Sequence, residues 1–426
     1  MAEHVGGAFD QAVYRGYIPQ MAAYPATSVN VDTLRAAFAT VIAATPSLAG
    51  TLFEDATGRI RLAPSTQPAK VDDFFEVVEV PDFDYIAWRG RRFPVPEFLT
   101  VFKDAYPPPQ TYPTYIIKAR LTIMKGGVAL CIWFHHCALD AGGAAQFWSA
   151  LAAASRGDLI PKLTMYPRIA VHTGDPPADH AISSHPAYTI APDVRGVFPP
   201  GVVTRLHFSD ASLATLKAEL SLHLPPGQWI STLDALNALI WSSIGKANGR
   251  GDSLDLAIPV EARSRMQPPI PTTYLGNCFY LVVARSPGPS VTERALAIRS
   301  AINALSSDTL DHLSSVVSQY PRLYEWHGHL DGPYLITSWA SLPYGVLNWA
   351  DDVFGGARCE RITEPLVLRS GMGIILPRIP GGVDIDLSLE PAHMDILLAD
   401  EQVRRFALWD GGYIGVADFD CRYPAP

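Results

Sequence analysis

Val128-Ala129-Leu130-Cys131-Ile132-Trp133-Phe134-His135-His136-Cys137-Ala138-Leu139-Asp140-Ala141-Gly142-Gly143 joins an apolar run to two imidazoles, a carboxylate and several small residues. Just before it, Tyr115 to Met124 alternates, with Ile117, Ala119, Leu121 and Ile123 on one face, and Lys125-Gly126-Gly127 is a turn signal. The two runs therefore read as a hairpin. By period two, Val128, Leu130, Ile132, Phe134 and His136 share a face if the strand lasts that long. His136 is then aimed inward and His135 the other way. From Asp140 to Leu151 small residues alternate with Phe147, Trp148 and Leu151, the pattern of a helix packed closely on the hairpin.

The same order recurs near the end. Ile374-Ile375-Leu376 leads through Pro380-Gly381-Gly382 into Val383 to Glu390, and from Pro391 the pattern turns helical with Met394, Ile396 and Leu397. Glu390-Pro391 stands where His135-His136 stands in the first copy. A pseudo-duplicated chain follows as the expectation: two similar α/β lobes, only one keeping the imidazoles. Pro161 to Pro200 lacks periodicity and is rich in Pro, His, Ser and Gly. The expected division is an N-terminal lobe over 1–175, a crossover over 176–200 and a C-terminal lobe over 201–426.

Other segments fill in this outline. Asn30 or Asp32 caps a helix whose stripe is Leu34, Phe38, Val41 and Ile42, and Pro46 stops it. Val202 to Phe208 alternates, Ser209 or Asp210 caps a helix through Leu220, and Ser231-Thr232-Leu233-Asp234 opens another through Ile244. Leu254 to Pro259, Tyr334 to Trp339 and Gly373 to Leu376 read as strands, and Thr292 to Ser306 as a helix.

The bulk numbers set limits. A chain of 426 residues, 48% hydrophobic and 18% charged, has the length and composition for a large core. A formal net charge of −9 argues against a nucleic-acid partner, because phosphate binding needs a basic surface. The 5 cysteines are odd in number and lack C-x-x-C spacing, so reduced thiols are expected, with neither a zinc site nor a disulfide framework. No cationic flank with an apolar core opens the chain, and no run approaches a membrane span. A cytoplasmic protein without a membrane partner is the expectation.

Of the residues so far, His136 is the candidate general base, since imidazole exchanges a proton near neutral pH. Asp140, four positions on, either orients the ring or points away. No Walker-type loop, G-x-G-x-x-G stretch or G-x-S-x-G elbow is present. A nucleotide cofactor of those kinds and a serine hydrolase are therefore not suggested.

Three segments together resemble the BAHD acyltransferase superfamily, in particular its fungal branch of trichothecene 3-O-acetyltransferase-like enzymes. They are His136 to Asp140 (H-x-x-x-D), Val260 to Asn277, and Thr337-Ser338-Trp339-Ala340-Ser341-Leu342-Pro343-Tyr344. The second contains Glu261-Ala262-Arg263-Ser264-Arg265, Pro268-Pro269-Ile270-Pro271 and Tyr274-Leu275-Gly276-Asn277, similar to D-x-R-x-R, P-P-x-P and Y-x-G-N, with Glu261 for Asp. Where the family's D-F-G-W-G is expected, this chain has Asn348-Trp349-Ala350, which puts local packing in doubt. The doubled His is also similar to peptide-synthetase condensation domains, but the T-S-W and P-P-x-P segments favour the coenzyme A relative.

The resemblance implies two chloramphenicol-acetyltransferase-like lobes, each a mixed sheet with flanking helices, and an active-site tunnel between them. It implies acyl-coenzyme A as co-substrate, no permanently bound cofactor or metal, a small specialised metabolite as acceptor, and a monomer. Asp140 is then a partner of Arg263 that shapes the loop. Thr337 and Trp339 border the reaction centre, where a hydroxyl and an indole N–H suit a developing oxyanion. Ser231 and Thr232, opening a helix, suit phosphate or pantetheine contacts. Alternatives on the same fold are a carrier-protein donor, a cyclisation or condensation without coenzyme A, and metabolite binding without catalysis.

Overall fold

The structure, a computed structural model, describes residues 4–65, 70–91, 93, 112–165, 182–190, 201–320, 323–325, 332–364 and 370–415. The expected boundary at 175, most of the 176–200 crossover and Cys421 lie outside the described residues. The elements that position the site are, in chain order, α1 (Ala8–Gln11), β1 (Tyr17–Tyr24), α2 (Val31–Ala44), β2 (Phe75–Asp84), β3 (Ile117–Lys125), β4 (Gly127–His135) and α3 (Ala141–Ser155). There follow β5 (Val202–Ser209), α4 (Thr232–Ala247), β6 (Leu256–Glu261), β7 (Phe279–Ala284), β8 (Tyr334–Ser338) and β9 (Arg361–Thr363). The last are β10 (Met372–Ile375), β11 (Gly382–Leu389), α5 (Pro391–Ala399) and β12 (Ala407–Gly415).

Two large mixed sheets organise the chain. The first has 5 strands in the order β9-β1-β4-β3-β2, antiparallel except for the β2–β3 pair. The second has 7 strands in the order β7-β6-β8-β10-β11-β5-β12, with β8 parallel to both β6 and β10. A mixed α/β architecture is therefore present, as the sequence pattern led us to expect.

Strand parity explains the first sheet. Val128, Leu130, Ile132 and Phe134 of β4 pack with Leu34, Phe38, Val41 and Ile42 of α2 and with Phe147, Trp148 and Leu151 of α3. Ala129, Cys131 and Trp133 face the opposite way, towards Tyr17, Met21, Tyr85 and Trp88. Both faces are buried, which is why the strand is apolar throughout. The helix starts follow local chemistry: the Asn30 side chain accepts from the Thr33 N–H, and the Asp140 side chain accepts from the Gly143 N–H.

The two hairpins that look alike in sequence are both formed, β3–β4 followed by α3 and β10–β11 followed by α5. Each turn places a glycine where φ is positive, Gly126 at 82° and Gly381 at 94°. Their helices start differently. Asp140 caps α3 through its side chain, whereas α5 begins at Pro391 without a side-chain cap from Glu390.

One strand ties the sheets to each other. β9 pairs with β1 in the first sheet, yet its Thr363 hydroxyl accepts from Arg205 of β5 (2.7 Å) in the second. Arg205 also pairs with Asp386 of β11 at 2.6 Å, and Arg361 of β9 pairs with Asp384. Arg361–Asp384 crosses between the sheets and Arg205–Asp386 lies within the second, and in both a buried charge meets its opposite, which is the condition under which burial is tolerable.

The Asn348-Trp349-Ala350 departure leaves packing intact. The Trp349 Nε1–H donates to the Tyr24 hydroxyl at 2.9 Å, and its ring meets Phe354 edge-on at 5.1 Å. Tyr344, just upstream, is fully buried and donates to Gln20 Oε1 at 2.7 Å. Both are buried aromatic side chains whose polar tips are satisfied.

Candidate active site

β4 stops at His135, and the chain then turns tightly into α3. The His136 N–H donates to the Gly16 carbonyl (2.7 Å), and the Ala138 N–H to the His135 carbonyl (2.8 Å). This turn carries His136 off the strand, so its ring faces the second half of the chain. It lies 5.7 Å from the Phe279 ring and brings Nδ1 to 3.2 Å from Asn277 Oδ1. The side chain is half-buried at the seam between the two sheets. No hydrogen bond engages Nε2 among the described residues.

Asp140 does not reach the ring. Its Oδ1 accepts from the Gly143 N–H (2.7 Å) and from Arg263 Nη2 (2.9 Å), and its Oδ2 accepts from the Cys278 N–H (2.9 Å). Arg263 in turn donates to the carbonyls of Tyr274 and Gly276 (3.0 and 2.8 Å) and to Glu261 (2.8 Å). Asp140 and Arg263 are 4% and 3% exposed. Burial works against the guanidinium charge, but the Asp140 and Glu261 carboxylates outweigh it and hold Arg263 above its ordinary pKa. Glu261 thus fills the place of the expected Asp. The pair clamps the loop before α3 to the loop before β7.

Close approach of these loops depends on a missing side chain. A Cβ at Gly143 meets the Leu275 carbonyl oxygen at 2.0 Å, so only glycine fits there.

Asn277, which the sequence presents only as the end of Y-x-G-N, is the residue that holds the imidazole. Its Nδ2 donates to Asp10 Oδ1 (2.8 Å) and to the His136 carbonyl oxygen (2.6 Å). With acceptors on its nitrogen side, the amide can face only one way, and Oδ1 is the atom turned to the ring. An oxygen at that place requires the proton on Nδ1, which leaves the lone pair on Nε2. Asp10, in the short α1, was not singled out from the sequence. Its signal was faint: a lone acidic residue in an unassigned N-terminal stretch.

His135 behaves differently from its neighbour. It is fully buried, with its ring edge-on to Tyr17 at 5.1 Å, and its Nδ1 accepts from the Cys137 N–H. Burial, reinforced by His136 and Arg15, pushes its pKa from 6.5 down to about 3. The unfolded chain takes up this proton near pH 6.5 while the folded chain does not until about pH 3. Stability is therefore unaffected by this group above pH 6.5 and falls below it, by up to about 1.4 kcal/mol per pH unit. In urea unfolding between pH 6.5 and 4.5, wild type should lose stability more steeply than His135→Phe. Parallel curves would remove His135 from the acid response.

The remaining candidates have other partners. Trp339, 4% exposed, sits in an apolar cluster with Val203, Ile374 and Leu376, against which Ala141 at the start of α3 packs. Thr337 is half-buried in β8, in register with Ile374 of β10. Ser231 is the N-cap of α4: its hydroxyl accepts from the Asp234 N–H, and the Asp234 carboxylate accepts from the Ser231 N–H and pairs with Arg299. That capping box already occupies part of the helix start, and Thr232 beside it is half-buried. None of Thr337, Trp339, Ser231 and Thr232 hydrogen-bonds to His136 among the described residues.

Known proteins resemble this chain in sequence and in fold. Residues 19–402 match the Transferase family. The eremophilane O-acetyltransferase prx11 of Penicillium rubens is 28% identical over 231 residues, 49% of this chain, and the match spans only 47% of that relative. The hydroxycinnamoyl-CoA:piscidic acid hydroxycinnamoyltransferase of Actaea racemosa is 24% identical over 86% of this chain and 87% of its own. Among solved structures, Fusarium graminearum TRI101 complexed with coenzyme A and T-2 mycotoxin superimposes with a TM-score of 0.80 at 18% identity, over 96% of this chain and 100% of that one. Vinorine synthase gives 0.66 at 17% identity, over 94% of each. At such identities the likeness concerns the fold.

Proposed function

We infer the reaction from one premise: the chain belongs to the Transferase (BAHD) family. On it we propose an acyltransferase that moves an acyl group from a coenzyme A thioester to a hydroxyl, or an amine, of a small, mostly apolar specialised metabolite. The observation that carries this reading is the imidazole of His136, held through Nδ1 at the seam between the sheets, with no hydrogen bond to Nε2 among the described residues. The acetyltransferase relatives and the coenzyme A-bound neighbours support the donor and the acceptor class.

In this mechanism the acceptor oxygen attacks the thioester carbonyl carbon while His136 Nε2 takes its proton. The tetrahedral intermediate collapses, the carbon–sulfur bond breaks, and the thiolate recovers the proton from Nε2. Ester and free thiol are the products. Trp339 and Thr337 are the proposed donors to the oxyanion or to the acyl donor, and Ser231 and Thr232 the proposed contacts of the coenzyme. Asp140 and Arg263 keep the loop in shape. On this reading the lobes are 1–175 and 201–426, joined across 176–200.

Incubation with acetyl-coenzyme A and a panel of small alcohols tests the proposal. Free thiol should appear in proportion to ester, and only with an acceptor present. An acceptor converted to a product of unchanged mass, without any thioester, would replace acyl transfer by cyclisation.

A further inference from the structure

The His136–Asn277 contact has a third member, and it comes from a distant part of the chain. Asp10 is fully buried. Its Oδ2 accepts from the Gly7 N–H at 2.7 Å, and its Oδ1 accepts from both the Asn277 N–H (3.1 Å) and Asn277 Nδ2 (2.8 Å). An amide has two nearly isosteric orientations, and the surrounding donors and acceptors choose between them. The flipped orientation would set Asn277 Oδ1 against the Asp10 carboxyl oxygen and against the His136 carbonyl, two acceptors with nothing to offer it. It would also turn an NH₂ towards His136 Nδ1, which would then have to accept. The proton would move to Nε2, and the lone pair that the reaction needs would be lost.

We propose that Asp10 is a positioning residue for His136, selecting the Asn277 orientation that keeps the imidazole proton on Nδ1 and the lone pair on Nε2. The proposal rests on the reading of His136 as the base. The route from Asp10 to the ring runs through the Asn277 amide. Its place in the fold suits that role. α1 is held at the seam, with the Asn277 backbone and side chain both bonded to one oxygen, so neither can shift without the other.

Asp10→Asn tests this with little change of shape. Its single acceptor oxygen must serve either the Gly7 N–H or the two Asn277 donors, and wherever its NH₂ faces Asn277 Nδ2 instead, relief of the two facing donors favours the flip. Long-range ¹H–¹⁵N spectra of ¹⁵N-histidine-labelled protein read the tautomer directly. Wild type should show His136 protonated on Nδ1, and Asp10→Asn should show a gain of the Nε2–H form. With it, kcat should fall at least about tenfold while the acceptor KM stays within about twofold. Asp10→Ser, whose shorter side chain withdraws both carboxylate oxygens from Asn277, is the second variant if Asp10→Asn does not fold, and the same shift is expected. A wild-type ring protonated on Nε2 overturns the proposal, whatever the variants do. So does a folded variant whose kcat falls with the tautomer unchanged, or whose tautomer and kcat both stay put. His136→Ala separates the two layers: if it retains turnover, the base assignment fails, and if it is inactive while Asp10→Asn behaves as wild type, only the role of Asp10 fails.

Discussion

His136→Ala should lower kcat for acyl transfer by about 10²–10⁴-fold, the range that a positioned general base supplies. Acceptor and donor KM should change little, because the imidazole is not asked to bind either ground state more tightly than the transition state. The fold should survive. The ring is half-buried, its side chain hydrogen-bonds to Asn277, and the backbone bonds of the turn do not need it. The measurement is steady-state thiol release beside a urea melt of the same preparation. Unchanged turnover in a folded His136→Ala would end the mechanism proposed above.

Asp140→Ala should show the opposite division, a loss of stability before any loss of chemistry. Removing it takes away the buried partner of Arg263 and leaves only the exposed Glu261 carboxylate to balance that charge, at a cost of up to about 3–5 kcal/mol. The start of α3 loses its side-chain cap as well, at about 1 kcal/mol, and the Cys278 N–H loses its acceptor. Since both Asp140 oxygens are engaged away from the imidazole, the fraction that still folds should retain a bell or plateau in pH like that of wild type. Equilibrium urea unfolding, with activity normalised to the folded fraction, checks both parts. A variant as stable as wild type, inactive in its folded form, would instead make Asp140 a participant in the reaction.

Much of this was legible in the sequence, for a physical reason. The hairpins announce themselves by alternation and by glycine turns, and the helices by starts such as Asn30, Ser209 and Ser231, all of them local signals. The Asp140–Arg263 pair came through the family resemblance rather than through spacing, since 123 positions separate the two residues. Strand parity holds for Val128 to Phe134 but not for the residue that matters most. β4 ends at His135, and the turn that follows aims His136 by its own hydrogen bonds, so period two has no authority there. β9 was missed because three residues, Arg361–Thr363, carry no periodicity, and their pairing with β1 is set by tertiary contact. Asn277 and Asp10 were not legible as site residues for a similar reason. They lie 141 and 267 positions from the groups they hold, and an Asn after a glycine or an Asp near the N-terminus has many ordinary uses.

The central claim, that His136 Nε2 is the atom through which the acceptor's proton passes, is tested most directly by a structure with coenzyme A and an unreactive acceptor analogue both bound. The acceptor oxygen should lie within about 2.6–3.2 Å of Nε2, with the coenzyme sulfur converging on the same point and Nδ1 still on Asn277. A sulfur and an acceptor oxygen that meet away from His136 would contradict it.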